Sequence, residues 1–154
     1  EHKEVGYNYR LSNLLAAIGR AQLQRLDNFI EKRRKINQRY RKAFSEIEGI
    51  NFMQEPDYSK STFWLSTFTI DEKITGVNRD KIIAELENEN IESRPVWKPM
   101  HLQPAYKDYK YISNSRTDIS GKLFNYGLCL PSGSSLKKMD QYRIIDIILS
   151  HIKK

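Results

Sequence analysis

Cysteine occurs once in the 154 residues, at Cys129, so no internal disulfide can staple the fold. Histidine is nearly as scarce: the three, at positions 2, 101 and 151, share no ligand spacing, which excludes a zinc site. Seven glycines and five prolines are too few for a collagen-like or low-complexity chain. No apolar run approaches the roughly 18 residues that a membrane-spanning helix needs, and no charged-then-apolar leader with a small-residue cleavage site is recognisable. No Asn-x-Ser/Thr acceptor is present either. These absences predict a soluble chain in a reducing cytoplasm, with no membrane partner.

What is present is enough for one compact domain and too little for two. At 39% hydrophobic and 11% aromatic residues, the chain can bury a core. Its net charge of +7 is unevenly placed: Arg20 to Lys42 holds nine bases against Asp27 and Glu31, and the remainder is balanced. In the same stretch the apolar residues Leu11, Leu14, Leu15, Ile18, Leu26, Phe29, Ile30, Ile36, Tyr40, Phe44 and Ile47 recur at spacings of three and four. With Ser12 as N-cap and Gly49 as a stop signal, this predicts one helix over 12–47, roughly 50 Å long at about 1.5 Å per residue. Its basic residues read as the solvated side of that rod. On charge alone, a non-catalytic module binding nucleic acid or an acidic partner stays open, although the signatures of nucleic-acid recognition folds are absent.

Beyond Gly49 the pattern alternates. Ile50 to Met53, Phe63 to Ile70, Ile91 to Val96 and Leu128 to Leu130 read as strands. Arg79 to Glu89 after the cap Asn78, Thr117 to Asn125, and Lys137 to Ile152 read as helices, the last with Tyr142, Ile144, Ile145, Ile148 and Leu149 inward. The expected class is α+β, a long N-terminal helix with a small, mainly antiparallel sheet covered by helices.

Two segments carry chemistry. Residues 6–13 run into the start of the long helix, where unpaired N–H groups and a partial positive charge favour an anion. There Asn8 offers an amide donor and Arg10 a guanidinium fork suited to phosphate or carboxylate. The second segment, 94–101, is stiffened by Pro95 and Pro99 and clusters Arg94, Trp97, Lys98 and His101. Its plainer reading is a surface loop with Trp97 tucked into the core. Three further features read as structural: Pro131 to Ser135 as a helix cap, Tyr106 to Tyr111 as packing beside solvated lysines, and Cys129 as a small buried hydrophobe.

Three stretches in this order, GYNYRLSNLLAAIGRAQLQRLDNFIEKRR (6–34), SRPVWKPMHLQPAY (93–106) and CLPSGSSL (129–136), resemble the C-terminal part of the DegT-type nucleotide-sugar aminotransferases. The resemblance implies a fold type I enzyme dependent on pyridoxal 5′-phosphate (PLP). It implies a homodimer with active sites between subunits, moving an amino group from glutamate to a keto sugar on a nucleoside diphosphate. By the same resemblance Asn8 reaches across the dimer to the cofactor phosphate, with Arg10 beside it, and Lys98 and His101 face the sugar-nucleotide pocket with Trp97 packing nearby. The family carries its cofactor-holding lysine and the acid at the pyridine nitrogen in a large domain upstream. No lysine here has the matching context, so no catalytic residue is assigned. The chain begins with Glu1 and within a few residues of a working motif. We therefore expect 1–154 to be the single C-terminal small domain of a larger enzyme, inactive alone, with 1–47 as interdomain segment and linking helix. The apolar residues Leu11, Leu14, Leu15 and Ile18 should then be exposed and drive self-association.

Overall fold

The computed structural model describes residues 1, 3–8, 10–114 and 116–152. His2, and Tyr9 of the amino-terminal motif, lie outside the described residues. The element order is α1 (Asn13–Leu23), α2 (Leu26–Ala43), β1 (Ile50–Phe52), β2 (Ser66–Ile70), α3 (Glu72–Thr75), α4 (Arg79–Asn88), β3 (Arg94–Pro95), 3-10 turns at Met100–Leu102 and Pro104–Tyr106, α5 (Ile119–Tyr126), β4 (Gly127–Leu130) and α6 (Lys138–His151). The strands form one antiparallel sheet in the order β1-β2-β4-β3. The class is α+β, as the sequence pattern predicts.

The expected single rod is broken. At Gln24 and Arg25 the backbone tightens, with Arg25 N–H donating to the Gln22 carbonyl at 3.0 Å, and α2 restarts without a side-chain cap. Neither glycine nor proline stands there; the two helices differ in what they lie on. Helix α2 buries Ile36, Asn37 and Tyr40, whereas α1 buries nothing. Ser12 does cap α1, accepting from Leu15 N–H at 3.3 Å.

The core lies between the sheet and α2, α4 and α6. Alternation in β2 places Ser66, Phe68 and Ile70 against the helices. They meet Ile36 and Tyr40 of α2 and its C-cap Phe44, Ile82 and Leu86 of α4, Leu128 and Leu130 of β4, and Ile144, Ile145 and Ile148 of α6. Phe44, Phe52 and Phe68 pack with ring centroids 5.5 to 6.3 Å apart. Most polar groups drawn inside are answered: Tyr40 donates to the Pro131 carbonyl at 3.0 Å, Gln141 Nε2 to the Ile36 carbonyl at 2.8 Å, and Asn37 Nδ2 to Ser66 Oγ at 3.2 Å, whereas Gln141 Oε1 and Ser93 Oγ are buried without a partner among the described residues.

Several expected details shift. Tyr142 is 42% exposed rather than inward, and the Lys138 ammonium lies 5.5 Å from its ring centre. Ile91 to Val96 contributes only the two-residue β3, because two of its residues pair with Cys129 and Leu128 before Pro99 ends regular structure. The segment Pro131 to Ser135 does not cap α6, whose N-cap Lys137 makes no side-chain bond. Instead Ser132 Oγ accepts from Ser66 N–H and donates to the Leu130 carbonyl, both at 2.8 Å, locking the ends of β2 and β4 together.

Candidate functional site

The first segment is a built turn. Asn8 Oδ1 accepts from Arg10 N–H at 3.0 Å, and Arg10 takes a left-handed backbone (φ 74°) that residues other than glycine seldom adopt. The chain then extends through Ser12 into α1. Asn8 and Arg10 thus stand exposed just ahead of a helix amino end. With Oδ1 engaged in the turn, Asn8 is left with its Nδ2 hydrogens as donors, beside a guanidinium, and residues 5–12 contain no acid. The donor set suits a phosphate.

The second segment leaves the sheet at β3. Val96 N–H donates to the Gly127 carbonyl at 3.1 Å, and a side chain at Gly127 would collide with Val96 and the Leu123 carbonyl. Because Val96 faces in here, Trp97 faces out. It is 64% exposed, not tucked into the core, and pairs with Trp64, itself 61% exposed, at 5.9 Å between ring centroids. The two tryptophans rim a groove of about 580 Å³ floored by Pro95, Cys129, Leu130 and Pro131. Trp97 and Lys98 also border a neighbouring hollow of about 390 Å³ with Met100, Gln103, Ser120 and Leu123. The Lys98 ammonium pairs with the Glu1 carboxylate, whose pKa that hydrogen bond lowers. Burial pushes the Cys129 thiol up, consistent with a packing role.

His101 is held from two sides. Its Nε2 lies 2.9 Å from Asp118 Oδ2, and its ring stacks on Tyr111 at 4.0 Å between centroids. Asp118 is the N-cap of α5: its Oδ1 accepts from Gly121 N–H and from Ser120 Oγ, both at 2.9 Å. A side chain at position 121 would strike this carboxylate, so only glycine leaves it room. The Gly121 amide first, then His101, holds the Asp118 carboxyl down at about 2.

The basic stretch is not simply a solvated side. Arg33 donates to the Trp64 carbonyl at 2.6 Å and the Ser132 carbonyl at 3.2 Å. Arg34 forks onto Glu55 at 2.8 and 2.9 Å and reaches the Ser61 carbonyl. Arg41 donates to Asn37 Oδ1 at 2.8 Å and to the Met53 carbonyl, and both Arg34 and Arg41 lie over the Phe63 ring. These guanidiniums pin the connection from β1 to β2. The Arg34 fork sets the Glu55 pKa at about 2.

Trp97, Lys98 and His101 therefore share one loop, whereas Asn8 and Arg10 lie on a separate segment that meets that loop through Glu1 and Lys98. The sequence reading missed Asp118, Tyr111 and Trp64. Asp118 was detectable as Asp three residues before Gly at a helix start; the other two carry no local signal. Among the described residues no group of three or more His, Cys, Asp or Glu side chains is placed to hold a metal, and no helix is long and apolar enough to cross a membrane.

Residues 1–149 match the model of the DegT/DnrJ/EryC1/StrS aminotransferase family. EpsN of Bacillus subtilis (strain 168), whose name places it with the pyridoxal phosphate-dependent aminotransferases, is 43% identical over 150 residues, 97% of this chain and 38% of that protein. The GDP-perosamine synthase of Vibrio cholerae is 39% identical over 138 residues, covering 88% of this chain and 36% of its own length. Among solved structures, a DegT DnrJ EryC1 StrS aminotransferase from Brucella abortus superimposes with a TM-score of 0.79 at 28% identity, over 99% of this chain and 41% of that one. The chain thus spans well under half the length of the relatives it matches.

Proposed function

The chain belongs to the DegT/DnrJ/EryC1/StrS aminotransferase family, and we propose that it is the C-terminal small domain of a PLP-dependent enzyme moving an amino group from glutamate to a nucleotide-linked keto sugar. The observation that carries this reading is the family match over residues 1–149 together with an anion-ready turn at Asn8 and Arg10 within it. The names of two relatives, a pyridoxal phosphate-dependent aminotransferase and a GDP-perosamine synthase, support the cofactor and the substrate class. In this reading residues 1–47 join a large domain to the small one, and the enzyme is a cytoplasmic homodimer.

Each residue then has a task. PLP, when bound, supplies the electron sink for amino-group transfer. Asn8 Nδ2 and the Arg10 guanidinium bind the phosphate of the cofactor held by the neighbouring subunit. Trp97 lies against the substrate, Lys98 exchanges its Glu1 partner for the nucleotide diphosphate, and His101 donates or accepts a hydrogen bond in the same pocket. None of these residues takes the role of the cofactor-holding lysine, so the chain by itself does not turn over. The basic stretch gives less support to a nucleic-acid partner than its charge suggests, because Arg33, Arg34 and Arg41 are already engaged by backbone carbonyls, Asn37 and Glu55.

In an enzyme of full family length, Asn8→Ala should weaken PLP retention roughly tenfold, the loss of one or two hydrogen bonds to a charged group. Equilibrium dialysis of the cofactor reads this directly. Unchanged PLP affinity would remove Asn8 from the site, and robust transamination by the 154-residue chain with PLP and glutamate would overturn the reading as a whole.

A further inference from the structure

The two oxygens of Asp118 do different work. Oδ1 faces the start of α5 and accepts from Gly121 N–H and Ser120 Oγ at 2.9 Å, with the Tyr111 hydroxyl at 3.4 Å. Oδ2 faces His101 Nε2 at 2.9 Å. One carboxylate thereby ties the amino end of α5 to the loop that carries Trp97 and Lys98, and Tyr111 stacks on one face of the imidazole with centroids 4.0 Å apart.

We propose that Asp118 is the positioning residue for His101, fixing its neutral ring as the Nε2–H tautomer and so presenting Nδ1 as the free acceptor. The functional half of this inference rests on reading His101 as part of the sugar-nucleotide pocket. A carboxylate only accepts, so the nitrogen facing it must carry the proton. That leaves Nδ1 without a proton in the neutral ring and suited to a substrate hydroxyl or an N–H donor. A lone aspartate cap would need Oδ1 only; among the described residues the second oxygen bonds to the histidine.

The division of labour makes the two tasks separable. In Asp118→Asn the amide oxygen can keep the Oδ1 position, since asparagine caps helices about as well as aspartate. The NH2 group then falls where Oδ2 was and donates to Nε2, which drives the proton to Nδ1. Tautomers are read by nitrogen-15 NMR of the imidazole at a pH where the ring is neutral, using the 154-residue chain. We expect a pyrrole-type Nε2 in the wild type, inversion to a pyrrole-type Nδ1 in Asp118→Asn, and helical content close to wild type in that variant. Asp118→Ala should lose both the cap and the tautomer preference. An Nδ1–H ring in the wild type, or the same tautomer in wild type and Asp118→Asn, overturns the inference.

Kinetics in an enzyme of full family length separate the inference from the reading beneath it. Asp118→Asn should raise KM for the nucleotide sugar roughly tenfold, more than it lowers kcat, and should add little to His101→Ala in the double variant. If His101→Ala raises KM and Asp118→Asn does not, the positioning role is wrong and the pocket reading stands. If His101→Ala leaves KM unchanged, the pocket reading of His101 falls, and the NMR result alone decides the tautomer.

Discussion

Helices α1 and α2 are neighbours in sequence, carry apolar residues at the same spacing, and meet opposite fates. In α2 the apolar side closes the core, with Tyr40 fully buried and Phe44 2% exposed. In α1 the equivalent stripe is bare, with Leu14, Leu15 and Ile18, and Leu11 just ahead of the cap, between 51% and 72% exposed. Periodicity announces that a face is apolar; it does not say what covers it. The two-residue joint at Gln24 and Arg25 separates a helix whose apolar side this chain buries from one whose apolar side it leaves bare.

The contrast can be broken most forcefully from the α2 side. Phe44→Ala removes a ring packed on Phe52 and Phe68 and should cost about 3–5 kcal/mol in urea unfolding. A loss below about 1 kcal/mol would mean that α2 is not the spine of the core. On the α1 side we expect the chain to self-associate through the bare stripe. Leu14→Asp with Ile18→Asp should weaken that association at least tenfold in sedimentation without unfolding the chain. A monodisperse wild-type monomer would remove α1 as a docking face.

Acid sharpens the comparison without mutation. Glu55 and Asp118, both in the folded part beyond α1, have carboxyl groups lowered from ordinary values of 4.5 and 3.8 to about 2. Depressed carboxyls contribute stability that is fully present above the unfolded values and lost as pH falls through the folded ones. Stability should therefore decline between about pH 4.5 and 2 as they protonate. The decline should shrink in Glu55→Gln, read from melting temperature against pH, and an unchanged profile in that variant would discount the Arg34 fork. The smallest effect is predicted for Leu14→Ala, which should shift urea unfolding of the dissociated chain by no more than about 0.5 kcal/mol.

Much of the fold was legible in the sequence because its signals are local. Asn78 caps α4 through Lys81 N–H at 2.9 Å, and the alternation of β2 places Phe68 and Ile70 in the core. Long-range features were not legible. The break between α1 and α2 lacks glycine or proline and reflects where the core ends. Arg33 bonds to carbonyls 31 and 99 residues away, a partnership that composition reads only as surplus charge. Trp97 was expected inside because aromatic residues favour cores; the tight Val96–Gly127 approach decides instead which neighbour turns outward. Of the site, Lys98 and His101 stood out by type, whereas Asp118 and Tyr111 reach His101 only through folding.

The joint between the first two helices also partitions inheritance. Substitutions on the inner side of α2 must be accommodated by β2, β4 and α6, and should covary with them among descendants of a common ancestor. Those on α1 are free of that bookkeeping and should drift in step with whatever surface receives the helix, so that an alignment deep enough to show covariation would locate that surface without a second structure.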